Sequence, residues 1–396
     1  MEPKKVLISG AGPVGLSLGL ALAKKGVEVH VFEAEDELSD EMRASTIHAS
    51  TLEMFAEWGV ADAVIARGHK IDRLQFWERQ ARTKIAEFPY SLIAHDTPYP
   101  FRLQCPQNYV TRILKPALEA TGRGFLHMGH RTTGFRQTDS GTEIHVDTKA
   151  GPKVFEGDYL VACDGAHSPI RKQLGLALHG KTYQDQFLLV GTDLNLSKYF
   201  PGIAGCAYLY DPEEWVIAMQ LPDLVRTVFR LDHDADPVLA KSEAEVRARM
   251  KRLLGEEVPF QIKVTGVYSV HQRVSESFRV KRVLLAGDAA HLNNPTGGMG
   301  MNGGVHDAHH LARALLSVFA GGSDKALDEY SEARRRVAVE GVQASADRNY
   351  SDLVASAAEA EKRNAEIRAA AADPALARAY LLRAAMLTGS FAHRAA

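Results

Sequence analysis

The chain has 396 residues with a net charge near −2, 24% charged and 45% hydrophobic residues, an ordinary globular composition with room for a large core and more than one domain. That balance gives no global field favouring nucleic acid or an anionic membrane, and no apolar run reaches the length of a membrane span. Cys105, Cys163 and Cys206 are odd in number and widely spaced, which excludes a disulfide framework or a CxxC zinc pattern and points to a reducing, cytoplasmic compartment.

Val6 to Ser9 reads as a short buried strand, and the glycine-rich turn GAGPVG follows at Gly10 to Gly15. From Pro13 to Lys25, Val14, Leu18, Ala21 and Leu22 recur at helical spacing, and Gly26 stops the helix. Val27 to Glu33 alternates Val27, Val29 and Val31 and ends on an acid. This is a βαβ unit, so a parallel sheet is expected. Further along, Glu143 to Val146 and Lys153 to Phe155 form a hairpin, and Tyr159 to Cys163 is another buried strand. The texture changes from Phe187 to Val270. Strands are expected at Cys206 to Tyr210, Trp215 to Leu221 and Val225 to Leu231, with a charged helix at Ser242 to Leu254, giving a second, antiparallel-rich region. A buried strand returns at Arg282 to Ala286, followed by a long helix from Met301 to Ala320. From Asp324 onward the chain reads as helical, and Asp373-Pro374 caps the last helix.

The spacing G-x-G-x-x-G takes meaning from the strand before it, the helix after it and Glu33 about twenty residues on. Gly10 permits the tight turn, Gly12 the approach of a pyrophosphate, and Gly15 close packing of helix on strand. Ala11, Pro13 and Val14 complete the loop, whose helix N-terminus offers free N–H groups to phosphates. Glu33 suits ribose hydroxyls and disfavours a 2′-phosphate. The turn therefore takes FAD or NAD, and the glycines do not separate the two.

Two further stretches separate them. DYLVACDGAHSPIR, Asp158 to Arg171, resembles the DG motif of the single-component, class A flavin-dependent aromatic hydroxylases. RVLLAGDAAHLNNPTGGMGMNGGVHDA, Arg282 to Ala308, resembles their GD motif and the helix after it. RASTIHASTLEMFAEWGV, Arg43 to Val60, is similar to the family's segment after the second strand. The resemblance runs from residue 4 to about 345, in the family's order and spacing. It implies a Rossmann-like α/β FAD-binding domain with an inserted antiparallel-sheet substrate domain and a helical C-terminal part. The expected division is 1–75, 106–180 and 279–345 for FAD, 76–105 and 181–278 for substrate, and 346–396 for C-terminal helices.

The resemblance also implies the cofactors, FAD held tightly and NADH or NADPH as transient hydride donor. It implies O₂ chemistry through a flavin C4a-hydroperoxide on a small aromatic, phenolic substrate. Asp288, at the end of an apolar strand, is placed for the ribityl hydroxyls of FAD. Gly300, Met301 and Asn302 open a helix whose backbone N–H groups suit the pyrimidine edge of the flavin. Arg43, Gln107 and Arg112 carry over as FAD contacts, and Asp164 as the DG acid tied to NAD(P)H use. The helix start departs from the common pattern at Gly303-Gly304, which allows either flexibility or close packing. His291 is expected in a loop near the FAD, and not as a base. His309-His310 diverge on their helix and suit a solvated or packed face better than a metal. Tyr208 and Tyr210 share a strand face with Cys206 and are candidates for orienting a phenol, against the alternative of a packed core. Arg226 and Arg230 also share a face, expected to be solvated. No nucleic-acid or membrane partner is expected, and the chain is expected to act as a monomer or homodimer. Alternatives are a tailoring oxygenase on a quinone or polyketide-like ring, and a non-catalytic FAD-binding sensor.

Overall fold

In the computed structural model, which describes residues 4–232, 234–388 and 391, two large sheets stand beside each other and share one chain. The first has six strands in the order Arg279–Val280, Val283–Leu285, Tyr159–Ala162, Lys5–Ser9, Glu28–Phe32, Gly124–His127. All its pairings are parallel except the hairpin at 279–285. Val6, Leu7, Ile8, Leu160, Val161, Leu284 and Leu285 are fully buried, as strands covered on both faces must be. Helix Pro13–Ala23 runs from the first strand to the second with Pro13 in its first turn. Every residue from Gly15 to Ala23 is buried, because the long helix Met299–Phe319 crosses the same face.

The second sheet has eight strands in the order His291–Leu292, Ile262–Ser275, Leu178–Thr192, Val225–Leu231, Val216–Gln220, Cys206–Tyr210, Arg73–Glu78, Thr83–Pro89. Alternation along Cys206–Tyr210 divides it cleanly. Cys206, Tyr208 and Tyr210 join an aromatic layer with Phe76, Phe88, Tyr90 and Trp215. Ala207 and Leu209 face the other way, onto Trp77, Val246 and Met250. Helix Glu243–Leu254 covers that second face; Ser242 caps its start and Gly255, at φ 81°, ends it.

The hairpin Thr142–Thr148 and Gly151–Gly157 forms a three-stranded sheet with Arg131–Gln137. A fourth, small sheet has Arg102–Gln104 between Thr46–Ile47 and His69–Ile71. The C-terminal helices include Ala357–Ala372, with a capping box at Ser356 and Glu359, and Pro374–Ala384, capped by Asp373. They close over the aromatic layer, where Tyr380 stacks on Phe88 at 4.5 Å. No helix among the described residues is long and apolar enough to cross a membrane.

Candidate active site

Around the glycine turn, each glycine answers to a different neighbour. A Cβ on Gly10 would lie 2.4 Å from the Cys163 carbonyl oxygen, and one on Gly15 would lie 2.0 Å from the Gly10 carbonyl oxygen. Those two glycines are demanded by the protein's own backbone. A Cβ on Gly12 would meet nothing within 4 Å. No protein atom fills the space beside Gly12, so a pyrophosphate can approach the backbone there. Gly12 also caps helix Pro13–Ala23 with no side-chain hydrogen bond, which leaves the first-turn N–H groups of that helix free for an anion. Glu33 stands at the end of the second strand, where its Oε2 accepts from Ala11 N at 2.9 Å. These features fit a dinucleotide.

Asp164 leaves the neighbouring strand beside the turn. Its Oδ2 accepts from Ser9 Oγ at 3.3 Å, while Oδ1 is buried with no hydrogen-bond partner. Burial pushes its carboxyl up to about 6, against the pull of Ser168, Ser9 and Arg171. Arg171 ties this segment to the next one by donating to the carbonyls of Ala289 (2.9 Å) and Ala166 (2.8 Å).

Asp288 lies in the short turn Gly287–Ala289, with its side chain reaching solvent between flanking walls of protein. Those walls raise its pKa, and the positive fields of His291 and Arg43 hold the rise back. Arg43 is 75% exposed and pairs with Glu41. Gln107 begins helix Gln107–Glu119, and its Oε1 accepts from Ala44 N at 3.4 Å. Arg112, one turn on, pairs with Asp40 at 2.6 Å.

The helix that follows Asp288 starts at Met299, two residues earlier than the pattern predicts, behind Gly297 and Gly298 in left-handed conformations (φ 93° and 70°). No side chain caps it, and Gly300 faces open space. The Asn302 side chain clamps the helix start, accepting from His48 N (3.0 Å) and donating to the carbonyls of Thr46 (2.8 Å) and Gly298 (2.6 Å). Gly304 resolves the departure noted in the sequence in favour of close packing. Its Cβ would lie 2.5 Å from Val14 Cγ2 and 3.2 Å from Gly287 Cα, whereas one on Gly303 would meet nothing nearer than 3.5 Å.

His291 differs from expectation. It belongs to the two-residue strand His291–Leu292 at the edge of the eight-stranded sheet, is 1% exposed, and donates from Nε2 to Asp307 Oδ2 at 2.7 Å. Asp307 also accepts from Gly287 N (3.0 Å) and Arg334 Nε (2.7 Å). Burial works against its charge, but His291 and Arg334 outweigh that and hold the carboxyl at about 2. This hub sets the Asp288 turn against the long helix, and only the fold brings its members together. His309 is packed as well, 2% exposed with Nε2 3.0 Å from Glu57.

The expected solvated face of Arg226 and Arg230 is a second difference. Arg226 is 2% exposed and donates to the backbone carbonyls of Arg43 (3.1 Å) and Met42 (2.5 Å). Burial drives its pKa down to about 10. It therefore fastens the segment that carries Arg43. Arg230 is engaged by both oxygens of Asp185, at 3.0 and 3.1 Å. The face is covered because segment 42–45 and helix Ala344–Leu353 lie over it, which strand periodicity does not reveal.

Tyr208 and Tyr210 are 7% and 3% exposed and stack on Phe76 at 5.5 and 5.8 Å. Tyr210 lies beneath the Arg363 guanidinium at 3.7 Å. Tyr208 lies against Arg102. The sequence reading passed over Arg102, His48 and Tyr90, three buried residues that join the helix-start loop to the aromatic layer. Their signal was slight: one arginine inside the apolar stretch Phe101 to Leu103.

Comparison with known proteins agrees with this geometry. A family model described as FAD binding domain matches residues 4–345. A para-nitrophenol 4-monooxygenase of Pseudomonas sp. (strain WBC-3) is 34% identical, over 97% of this chain and 96% of the relative. A 6-hydroxy-3-succinoylpyridine 3-monooxygenase of Pseudomonas putida (strain DSM 28022 / S16) is 30% identical, over 88% and 89%. The crystal structure of p-nitrophenol 4-monooxygenase from Pseudomonas putida DLL-E4 superposes with a TM-score of 0.89 at 33% identity, covering 96% of this chain and 97% of that one. An aklavinone-11 hydroxylase solved with FAD and aklavinone gives 0.78 at 29% identity, covering 89% and 70%.

Proposed function

The chain belongs to the FAD binding domain family and, within it, to the class A flavin-dependent aromatic hydroxylases, and from that premise we propose that its substrate is a small phenol of the nitrophenol kind. The enzyme is an NAD(P)H- and FAD-dependent aromatic monooxygenase. Bound FAD supplies the chemistry, taking hydride from NAD(P)H and activating O₂.

The observation that carries the substrate reading is the aromatic layer. Phe76, Phe88, Tyr90, Tyr208 and Tyr210 gather between the eight-stranded sheet and the C-terminal helices. His48, between that layer and the loop at Gly297, links it to the helix start. Such walls suit a flat ring and exclude water from its reaction. The full-length likeness to a nitrophenol monooxygenase supports the same choice.

In this reading Gly12 and the free N–H groups at the helix N-terminus would hold the pyrophosphate, with Gly10, Ala11, Pro13, Val14 and Gly15 shaping the turn. Glu33 accepts from a ribose hydroxyl, and Asp288 from the ribityl chain. The backbone N–H groups of Gly300, Met301 and Asn302 would hold the pyrimidine edge. Arg43, Gln107 and Arg112 would also contact FAD. Asp164 would serve reduction by NAD(P)H. Tyr208 and Tyr210 wall the ring. A cytoplasmic location is supported by three free cysteines.

The test is NAD(P)H oxidation by the FAD-loaded enzyme with a panel of phenols, nitrophenols, hydroxybenzoates, hydroxypyridines and polycyclic quinones, followed by turnover under ¹⁸O₂. A small phenol should stimulate oxidation and gain one labelled oxygen. Stimulation confined to the polycyclic compounds would overturn the substrate reading. Tyr208→Phe or Tyr210→Phe should lower coupling to product while FAD content stays normal.

A further inference from the structure

Helix Ala344–Leu353 touches two regions that the reading above keeps apart, the aromatic layer and the loop that opens helix Met299–Phe319. It has ten residues, which span about 15 Å at the helical rise. Near its start it lies on the loop. Thr296 Oγ1 donates to the Ala346 carbonyl at 3.1 Å. The Asn349 amide lies against Gly297, where a Cβ would stand 2.7 Å from Nδ2. At its other end the helix enters the aromatic layer. Leu353 is 1% exposed among those rings, and Tyr350 packs against them. The Asp352 carbonyl accepts from Arg363, whose guanidinium covers the Tyr210 ring at 3.7 Å.

One residue in the middle of the helix pins it to the eight-stranded sheet. Asp347 accepts from Lys181 Nζ (2.8 Å), from Gln272 Nε2 (2.9 Å) and from the Tyr183 hydroxyl. Lys181 and Gln272 stand opposite each other across two paired strands, so the pin rests on a continuous ladder. The Tyr183 ring meets Tyr350 edge-on at 4.6 Å, and its hydroxyl also meets Asn294 of the loop. Tyr350 in turn donates to Asp185, which holds Arg230. Behind the helix the chain is less regular. Val337–Gln343 is a π-helix, a rare form that recurs at functional sites, and Gln343 Nε2 is buried there without a hydrogen-bond partner. Asp347 is therefore the firm point of the helix. It stands among the loop contacts and about one turn before the ring contacts.

We propose that Asp347 is a positioning residue, holding helix Ala344–Leu353 as the link through which a ring bound in the aromatic layer sets the position of loop 293–298. This rests on the small-phenol reading above. Phe76, Phe88, Tyr90, Tyr208 and Tyr210 are each 7% exposed or less. A layer packed that closely admits a ring only when a wall moves. The sheet wall is fixed by its ladders. The helix wall rests on side chains, so it is the one to give way. Displacement of Tyr350 or Leu353 reaches Ala346 and Asn349 because the backbone hydrogen bonds of a helix make it move as a body. There it acts on Thr296 and Gly297, in the loop that His48 holds from its other side by donating to the Gly297 carbonyl at 3.0 Å. Ring and loop thus bias one element, which is the physical condition for coupling. Asp347 acts through the helix, keeping the displacement from being lost as a tilt of the helix on the sheet.

The experiment titrates the oxidised, FAD-loaded enzyme with 4-nitrophenol. It reads the affinity, the change in the flavin band at wavelengths beyond the ligand's own absorption, and hydrogen exchange in segment 293–300. In the wild type, binding should change both the flavin band and the exchange. Asp347→Asn keeps the shape but sets an N–H donor against the donors of Lys181 or Gln272. It should bind the ligand within about threefold of the wild type and lose most of both responses, and its kcat should fall about fivefold while KM stays within about threefold. Tyr183→Phe, which removes one hydroxyl and keeps the ring, should do the same in smaller measure. Arg348→Ala, on the exposed side of the same helix, should respond as the wild type does. An Asp347→Asn enzyme that keeps both responses overturns the proposal. One that loses affinity and response together also does so, because Asp347 would then be part of the ring site, as does an Arg348→Ala enzyme without the responses, because helix stability would then be the cause. Wild type that binds the ligand with no change at the flavin or the segment overturns it and leaves the small-phenol reading intact. Should 4-nitrophenol neither bind nor stimulate NAD(P)H oxidation, that reading fails by itself, and the same titration with the panel compound that does stimulate oxidation decides the link.

Discussion

Asp164→Asn should stabilise the flavin-free protein at neutral pH while impairing the enzyme. The Asp164 carboxyl is held at about 6 in the folded chain against 3.8 when unfolded, because burial disfavours its charge by more than Ser168, Ser9 and Arg171 restore. A group whose folded value is raised favours the fold while protonated. Its contribution is fully present below pH 3.8 and is lost as pH rises through about 6. At pH 7.5 the ionised carboxylate therefore costs about 3 kcal/mol, and at pH 5 about 1.5 kcal/mol. Asparagine keeps the shape and the neutral charge and removes that cost. With an unfolding entropy of about 2.1 cal/mol/K per residue over 396 residues, the gain at pH 7.5 corresponds to a Tm higher by about 3–4 °C. Melts of apo wild type and variant, by circular dichroism from pH 5 to 8, give the difference directly. It should grow with pH and level off above pH 7. A variant that melts at or below the wild type at pH 7.5, or a gain that does not depend on pH, would refute the argument. The same variant should be reduced more slowly by NAD(P)H in stopped-flow, since stability withheld at a site is commonly tied to its use.

Asp288→Ala should weaken FAD binding by about 1–3 kcal/mol, the cost of a lost buried hydrogen bond, read by flavin fluorescence on titration into apoprotein. Gly304→Ala should lower stability by about 1–3 kcal/mol through overpacking against Val14, while Gly303→Ala, with 3.5 Å of clearance to His291, should melt within about 0.5 kcal/mol of the wild type. Asp307→Ala strands the buried charge of Arg334 and should cost about 3–5 kcal/mol; a variant with an unchanged urea midpoint would count against the hub. Because the Asp307 carboxyl is depressed from 3.8 to about 2, the wild-type benefit is fully present above pH 3.8 and fades as pH falls toward 2.

What the sequence determined by itself was local. The strand, turn and helix at residues 6–25, the hairpin around Thr148 to Gly151, the strands at 206–210 and 225–231, the charged helix ending at Leu254 and the cap at Asp373 all follow from short-range spacing, turn chemistry and backbone hydrogen bonding, and the structure keeps them. The glycine turn and the DG and GD stretches were legible for the same reason, since each holds its chemistry within a few consecutive residues. Tertiary structure decided what needs partners far apart in the chain. Asn302 clamps His48 across 254 positions, and Arg171 reaches Ala289 across 118. The period of a strand told which residues share a face with Arg226 but not that segment 42–45 would cover it. Gly304 carried no sign of Val14 until the two helices crossed. Arg102 belongs to no motif in the sequence. Its meaning comes from burial beside Tyr90 and Tyr208, because the cost of an unpaired charge arises only where water has been removed.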